Sequence, residues 1–143
     1  MNWKKCAEQD LRNYNRTLEA QASLDEKIAM LESKIGVKAM SMSEPVMGGT
    51  SKVEDKILNN MVERERLKFN LDTVNTLVKI TERGLSALNT EERTVVDAFY
   101  INDIDCALSE LCGIMNISKS QVYRIRDSAL YKFTISCYGI LDL

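Results

Sequence analysis

Residues 111 to 130 read LCGIMNISKSQVYRIRDSAL, and the joint in the middle of this stretch decides the fold. Leu111, Cys112 and Met115 end a short apolar helical pattern. Asn116 follows, then Ile117, then Ser118. A helix-turn-helix unit needs a small residue where its helices cross, a residue in the turn that tolerates a left-handed backbone, an apolar plug, and a capped second helix. Cys112, Asn116, Ile117 and Ser118 supply these in order, asparagine being the usual substitute for glycine at positive φ. Ser118-Lys119-Ser120-Gln121 has the form of a capping box, so the second helix is expected to start at Ser118.

A wheel of 100° per residue divides that helix into two sides. Val122, Ile125, Ala129 and Phe133 form the side that must pack. Ser120, Arg124 and Asp127 lie opposite, flanked by Gln121, Tyr123 and Ser128. Lys119, Ser120, Gln121, Tyr123, Arg124 and Ser128 are therefore the candidate DNA-contacting residues, with Arg124 placed to pair with guanine or grip phosphate. Arg126 falls near the packed side and is expected to snorkel or to form an ion pair. Upstream, Asn89-Thr90-Glu91-Glu92 supplies a helix start with acids in its first turn, and Val95, Val96, Phe99, Tyr100 and Ile101 follow as an apolar run. Asn102 to Asp105 favours a turn.

The rest of the chain reads as two long helices. Trp3, Ala7, Leu11, Tyr14 and Leu18, then Leu24, Ile28, Leu31 and Ile35, form a stripe with a slip near Gln21. The stretch Gly36 to Gly49, GVKAMSMSEPVMGG, holds the only proline and is expected to be a flexible linker, with the loop proper over about 37–50. Ser51-Lys52-Val53-Glu54 predicts a capped start for the second helix. From Ile57 the positions 57, 60, 64, 67, 71, 74, 78, 81, 85 and 88 alternate steps of three and four, a coiled-coil period that Asn60, Arg64 and Thr81 interrupt. The two helices are expected to fold back on each other as an antiparallel pair, or to meet another copy through the same seam. The predicted architecture is all-α: a helical hairpin over 1–88 and a helix-turn-helix domain over 89–143.

Composition narrows the function. A chain of 143 residues with 45% hydrophobic and 28% charged residues is long enough for one modest globular domain or a small domain with a helical appendage. No apolar run approaches the ~18 residues of a membrane span, and the first residues lack a signal-peptide core, so a cytoplasmic location is expected. Histidine is absent, and the four cysteines never stand as C-x-x-C, which argues against a zinc site, a cofactor or His-based catalysis and for reduced thiols. No P-loop or metal-spaced carboxylate cluster is present, so no enzyme is expected. The net charge of −2 speaks against a phosphate-coated surface, yet Ser118 to Lys132 holds Lys119, Arg124, Arg126 and Lys132 against Asp127 alone. With so few cations a monomer should bind DNA weakly. A homo-oligomer through residues 53–88, or docking on RNA polymerase, would compensate.

The segments LNTEERTVVDAFYINDID and LSELCGIMNISKSQVYRIRDSALYKF resemble the C-terminal part of ArpU-type phage transcriptional regulators, a family similar there to region 4 of sigma factors. RNYNRTLEA, the loop and SKVEDKILNN resemble the family's N-terminal pattern. The resemblance implies a phage or prophage regulator of late-gene transcription in a bacterial host, with Ser118 to Ser128 as recognition helix on double-stranded DNA. Asn116 stands where the family usually has glycine, and NDIDCALSE departs from its ordinary loop. The competing readings are a small-terminase-like DNA-packaging protein, whose reading domain usually comes first in the chain, and a coiled-coil protein-interaction module.

Overall fold

The computed structural model describes the backbone over residues 2–41 and 50–141 and the side chains over 2–34 and 52–141. All regular structure among these residues is helical: α1 (Trp3–Ser41), α2 (Thr50–Ser86), α3 (Thr90–Val96) continued by a π-helical turn (Asp97–Ile101), α4 (Ala107–Met115) and α5 (Lys119–Tyr138). No helix among the described residues is long and apolar enough to cross a membrane.

Two expectations about the linker change. α1 runs on to Ser41, so the first residues assigned to the flexible connection are helical. Gly36 costs only about 1 kcal/mol in a helix, and the lysine, alanine and methionine that follow are good helix formers. The remainder, 42–49, lies outside the described residues. α2 begins at Thr50, which puts Ser51 inside the first turn and not in front of it. The cap expected of the Ser51 side chain lies outside the described residues.

The compact units divide within both long helices: residues 1–18 with 77–143 form one, and residues 19–76 the other. The boundary expected after residue 88 fails to match this grouping because Ala7 and Leu11 share a core with Leu85, Val96, Tyr100, Ala129, Leu130 and Phe133. In the 19–76 unit, α1 and α2 run antiparallel. Gln21 Nε2 donates to Asn75 Oδ1 at 2.7 Å and Asn60 Nδ2 donates to the Leu31 carbonyl at 3.2 Å, so residues ascending one helix meet residues descending the other. Ile28 and Leu67 are buried between them. Asn60 Oδ1 and Arg64 Nε are buried there with no hydrogen-bond partner, a cost of about 1–3 kcal/mol each. Their polarity allows this seam only a few favourable registers.

Every position of the α2 stripe from Ile57 to Leu88 is buried or half-buried, and the same holds for the α1 stripe from Trp3 to Leu31. Leu67 and Val78 are thus covered within a single chain.

In the other unit two apolar clusters hold α3, α4 and α5. The first centres on Phe133, 0% exposed. The second gathers Val95, Ala98, Ala107, Leu111 and Val122 under α4 and the first half of α5. Asn89 caps α3: its side-chain oxygen accepts from Glu92 N at 2.8 Å, and Glu92 Oε1 accepts from Asn89 N at 3.3 Å. The backbone then widens into the π-helical turn. Past it, Asp103 and Cys106 sit at φ of 45° and 61°, left-handed angles that a side chain adopts only at a cost. At Gly84, α2 lies directly against α5 with no room for a side chain. A Cβ there would lie 2.3 Å from Cys137 Sγ and 2.5 Å from Phe133 Cδ2.

Candidate nucleic-acid interface

The joint between α4 and α5 is built from local rules. α4 ends at Met115 because Asn116 takes a left-handed conformation (φ 54°, ψ 48°), which turns the chain out of the helix. Ile117 is half-buried against Val122 and its neighbours, and Ser118 is extended (φ −73°, ψ 160°). Gln121 N donates to Ser118 Oγ at 3.2 Å and closes the cap. Cys112, the small residue the sequence places where the helices cross, is only half-buried. Ala107 and Leu111 fill the inner face of α4, and Cys112 stands about 100° round from Leu111.

α5 has the two-sided character its sequence predicts. Val122, Ala129 and Phe133 are all 0% exposed, and Ile125 is half-buried. Lys119, Ser120, Gln121, Tyr123, Arg124 and Ser128 are all exposed, and the helix brings them onto one continuous side. Arg126 behaves as a packing residue: its guanidinium lies 5.4 Å from the Phe99 ring centre and 4.8 Å from that of Tyr123. Its Nε is buried without a partner.

Two ion pairs that the sequence does not reveal reshape the charge of this face. Lys132 Nζ lies 2.7 Å from Glu92 Oε1, whose side chain is 4% exposed. Ser128 Oγ donates to Glu92 Oε2 at 3.4 Å, so this serine is turned toward α3. Lys4 Nζ meets Asp127 Oδ1 at 3.2 Å, placing the first turn of α1 beside the exposed side of α5. Of the four cations between Ser118 and Lys132, Lys132 is neutralised and Arg126 is held between rings. Lys119 and Arg124 remain for a ligand. Gln121, Arg124, Ser128 and Lys132 border a shallow cavity of about 240 Å³ whose far wall is Asn89, Glu91 and Glu92. Glu92, legible in the sequence only as a cap, proves to be the anchor that aligns α3 with α5.

Tyr100 lies behind this face, 3% exposed, and donates its hydroxyl to Glu8 Oε1 at 3.2 Å. Burial first, and the Glu8 charge next, push its phenol from 10.0 up to about 12. The folded state therefore holds the proton more tightly than the unfolded chain. That stabilisation is complete below pH 10.0 and is lost as pH rises through about 12. Urea unfolding followed across that window should show stability falling with pH, and falling less in Tyr100→Phe. Equal pH dependence in the two proteins would remove Tyr100 from the alkaline transition.

A comparison of the chain with known protein families, curated proteins and solved structures finds no match.

Proposed function

We propose that this chain is a sequence-specific DNA-binding transcriptional regulator in which α4 and α5 act as a helix-turn-helix and α5 enters the major groove. The observation that carries the reading is the exposed side of α5. Lys119, Ser120, Gln121, Tyr123 and Arg124 stand together on a helix held from behind by Val122, Ala129 and Phe133, with Ser128 at the edge bonded to Glu92. Arginine and glutamine are the side chains that pair bidentately with guanine and adenine, and a cationic first turn suits phosphate. The resemblance to ArpU-type regulators supports late-gene control in a phage or prophage as the setting, with RNA polymerase as a protein partner.

Selection of duplexes from a randomised pool tests the reading directly. Wild-type protein should enrich a defined site. Arg124→Ala should lose about 1–3 kcal/mol of preference for that site over random duplex, with an unchanged melting temperature because Arg124 is exposed. Failure to enrich any site, or unchanged discrimination in the variant, would sink the base-reading role.

Self-association through residues 53–88 belongs to the same reading, since two reading helices bind more tightly than one. The seam being occupied, the contact would use the outward side of α2. Leu58, Met61, Val62 and Phe69 are 58%, 48%, 61% and 72% exposed there. Light scattering at micromolar concentration tests it, and a monomeric mass would rule it out.

A further inference from the structure

The charges of the first 36 residues cancel in sum but are segregated along the chain. Lys4, Lys5, Arg12 and Arg16 all precede position 17, against Glu8 and Asp10 alone. Both acids accept hydrogen bonds from neutral hydroxyls, Glu8 from Tyr100 and Asp10 from Tyr138, and neither forms an ion pair with the cations among the described residues. Lys4 is taken by Asp127. Lys5, Arg12 and Arg16 form no ion pair among the described residues. Steps of seven and four put these three on one face of α1.

That face borders a groove of about 640 Å³ between α1 and the chain around the π-helical turn. Gln9, Asn13 and Asn15 add amide groups to the same wall, Tyr100 and Ile101 form the opposite one, and Glu8 and Asp103 are the two acids against the three cations. The Arg12 guanidinium is held 5.3 Å from the centre of the Tyr100 ring. Asn15 Nδ2 donates to the Ile101 carbonyl at 3.1 Å. The π-helical geometry of 97–101, rare in ordinary helices and frequent at functional sites, thus shapes a wall of this groove. Lys4 on Asp127 brings the first turn of α1 to the exposed side of α5, and Arg126 spans Tyr123 and Phe99, the neighbour of Tyr100.

We propose that this groove is a phosphate track, in which Lys5, Arg12 and Arg16 hold backbone phosphates of the nucleic acid beside the segment that α5 faces. The proposal takes its ligand from the DNA-binding reading and adds the contacts that reading lacks. Lys119 and Arg124 alone give little counterion release; three more cations more than double it. From Lys5 to Arg16 the helix rises about 16 Å, while each strand of a duplex offers one phosphate per about 3.4 Å of axis. The lining favours phosphates over an acidic peptide. It is mostly polar, and its one large aromatic ring already carries Arg12, whereas peptide partners are held chiefly by apolar anchors seated in pockets.

The test is the salt dependence of binding to a random-sequence duplex about two helical turns long. Arg12→Ala and Arg16→Ala should each lower the slope of log affinity against log salt by about one, and the double variant by about two. Near 0.1 M salt each should weaken binding about five- to tenfold, equally on selected and random duplexes. Arg12→Lys, which keeps the charge but changes the contact with Tyr100, should retain the slope. Lys68→Ala removes the same charge from the 19–76 unit and should leave the slope unchanged. Circular dichroism and melting temperature show whether each variant is folded. An unmoved slope in the folded double variant overturns the track. So does an equal drop with Lys68→Ala, which would mark a general charge effect. Binding of a polyglutamate peptide that the double variant loses, with the duplex slope unmoved, would also overturn it, in favour of an acidic protein partner. The two readings fail separately. If no site is ever selected but the slope depends on Arg12 and Arg16, base reading by α5 falls and the track stands. If a site is selected and the slope is indifferent, the track falls alone. No duplex binding at any salt removes both.

Discussion

Phe133→Ala should lower the stability of the unit formed by residues 1–18 and 77–143 by about 3–5 kcal/mol, the largest loss expected of any single substitution in the chain. The ring is fully buried in a cluster drawn from α1, α2, α3 and α5, so its removal leaves a cavity that these helices can close only by moving together. A small domain has about 5–15 kcal/mol in total, so the variant should melt far below the wild type and be partly unfolded at physiological temperature. Urea denaturation with tyrosine fluorescence and circular dichroism measures it. A loss under about 1 kcal/mol would mean that Phe133 is not at the centre of the core.

Gly84→Val should come next, at the upper end of about 1–3 kcal/mol. Two effects oppose each other at this position. Replacing a helical glycine gains up to about 1 kcal/mol of backbone entropy for alanine and less for a β-branched residue. Against this, the new Cβ alone meets Cys137 Sγ at 2.3 Å and Phe133 Cε2 at 2.6 Å, distances no packed structure keeps. Cys137 has little freedom to yield, because its thiol donates to the Ile80 carbonyl at 3.1 Å. Burial also pushes that thiol up to about 11, so it stays protonated and able to donate at neutral pH. Overpacking therefore wins. Gly84→Ala is the milder arm of the same measurement, and a stabilised alanine variant would show that α2 and α5 are further apart than their contact implies.

Much of this architecture is written in periodicity. Ile57 to Leu88 alternates steps of three and four, and those positions are the covered ones, because a helix has only one side to hide and repeats it at a fixed angle. The exposed side of α5 was legible for the same reason, aided by Ser118, whose cap fixes where the count begins. Pairings across the fold were not legible. Nothing in the neighbourhood of Glu92 foretells Lys132, forty residues later, and Lys4 gives no sign of Asp127. Those ion pairs decide which cations remain for a ligand, so a tally along the chain overstates the basic charge of α5 and understates that of α1. Gly84 was equally silent, since a close approach is a property of two helices and leaves its mark on only one. The π-helical turn inserts its extra backbone within an apolar run, Phe99 to Ile101, that suits an α-helix as well.

The burial of Ala7 and Leu11 beside Phe133 sets the order in which the protein can be completed on the ribosome. Their partners on α5 emerge more than a hundred residues after them. Until then the start of α1 must hold an apolar face open to solvent, a state vulnerable to aggregation and to capture by chaperones. Its docking closes the longest loop in the chain, so it is the entropically costly step and sets a slow pace for an all-helical protein. Fragments that begin after α1 inherit the complementary defect, an unclosed core beneath α5.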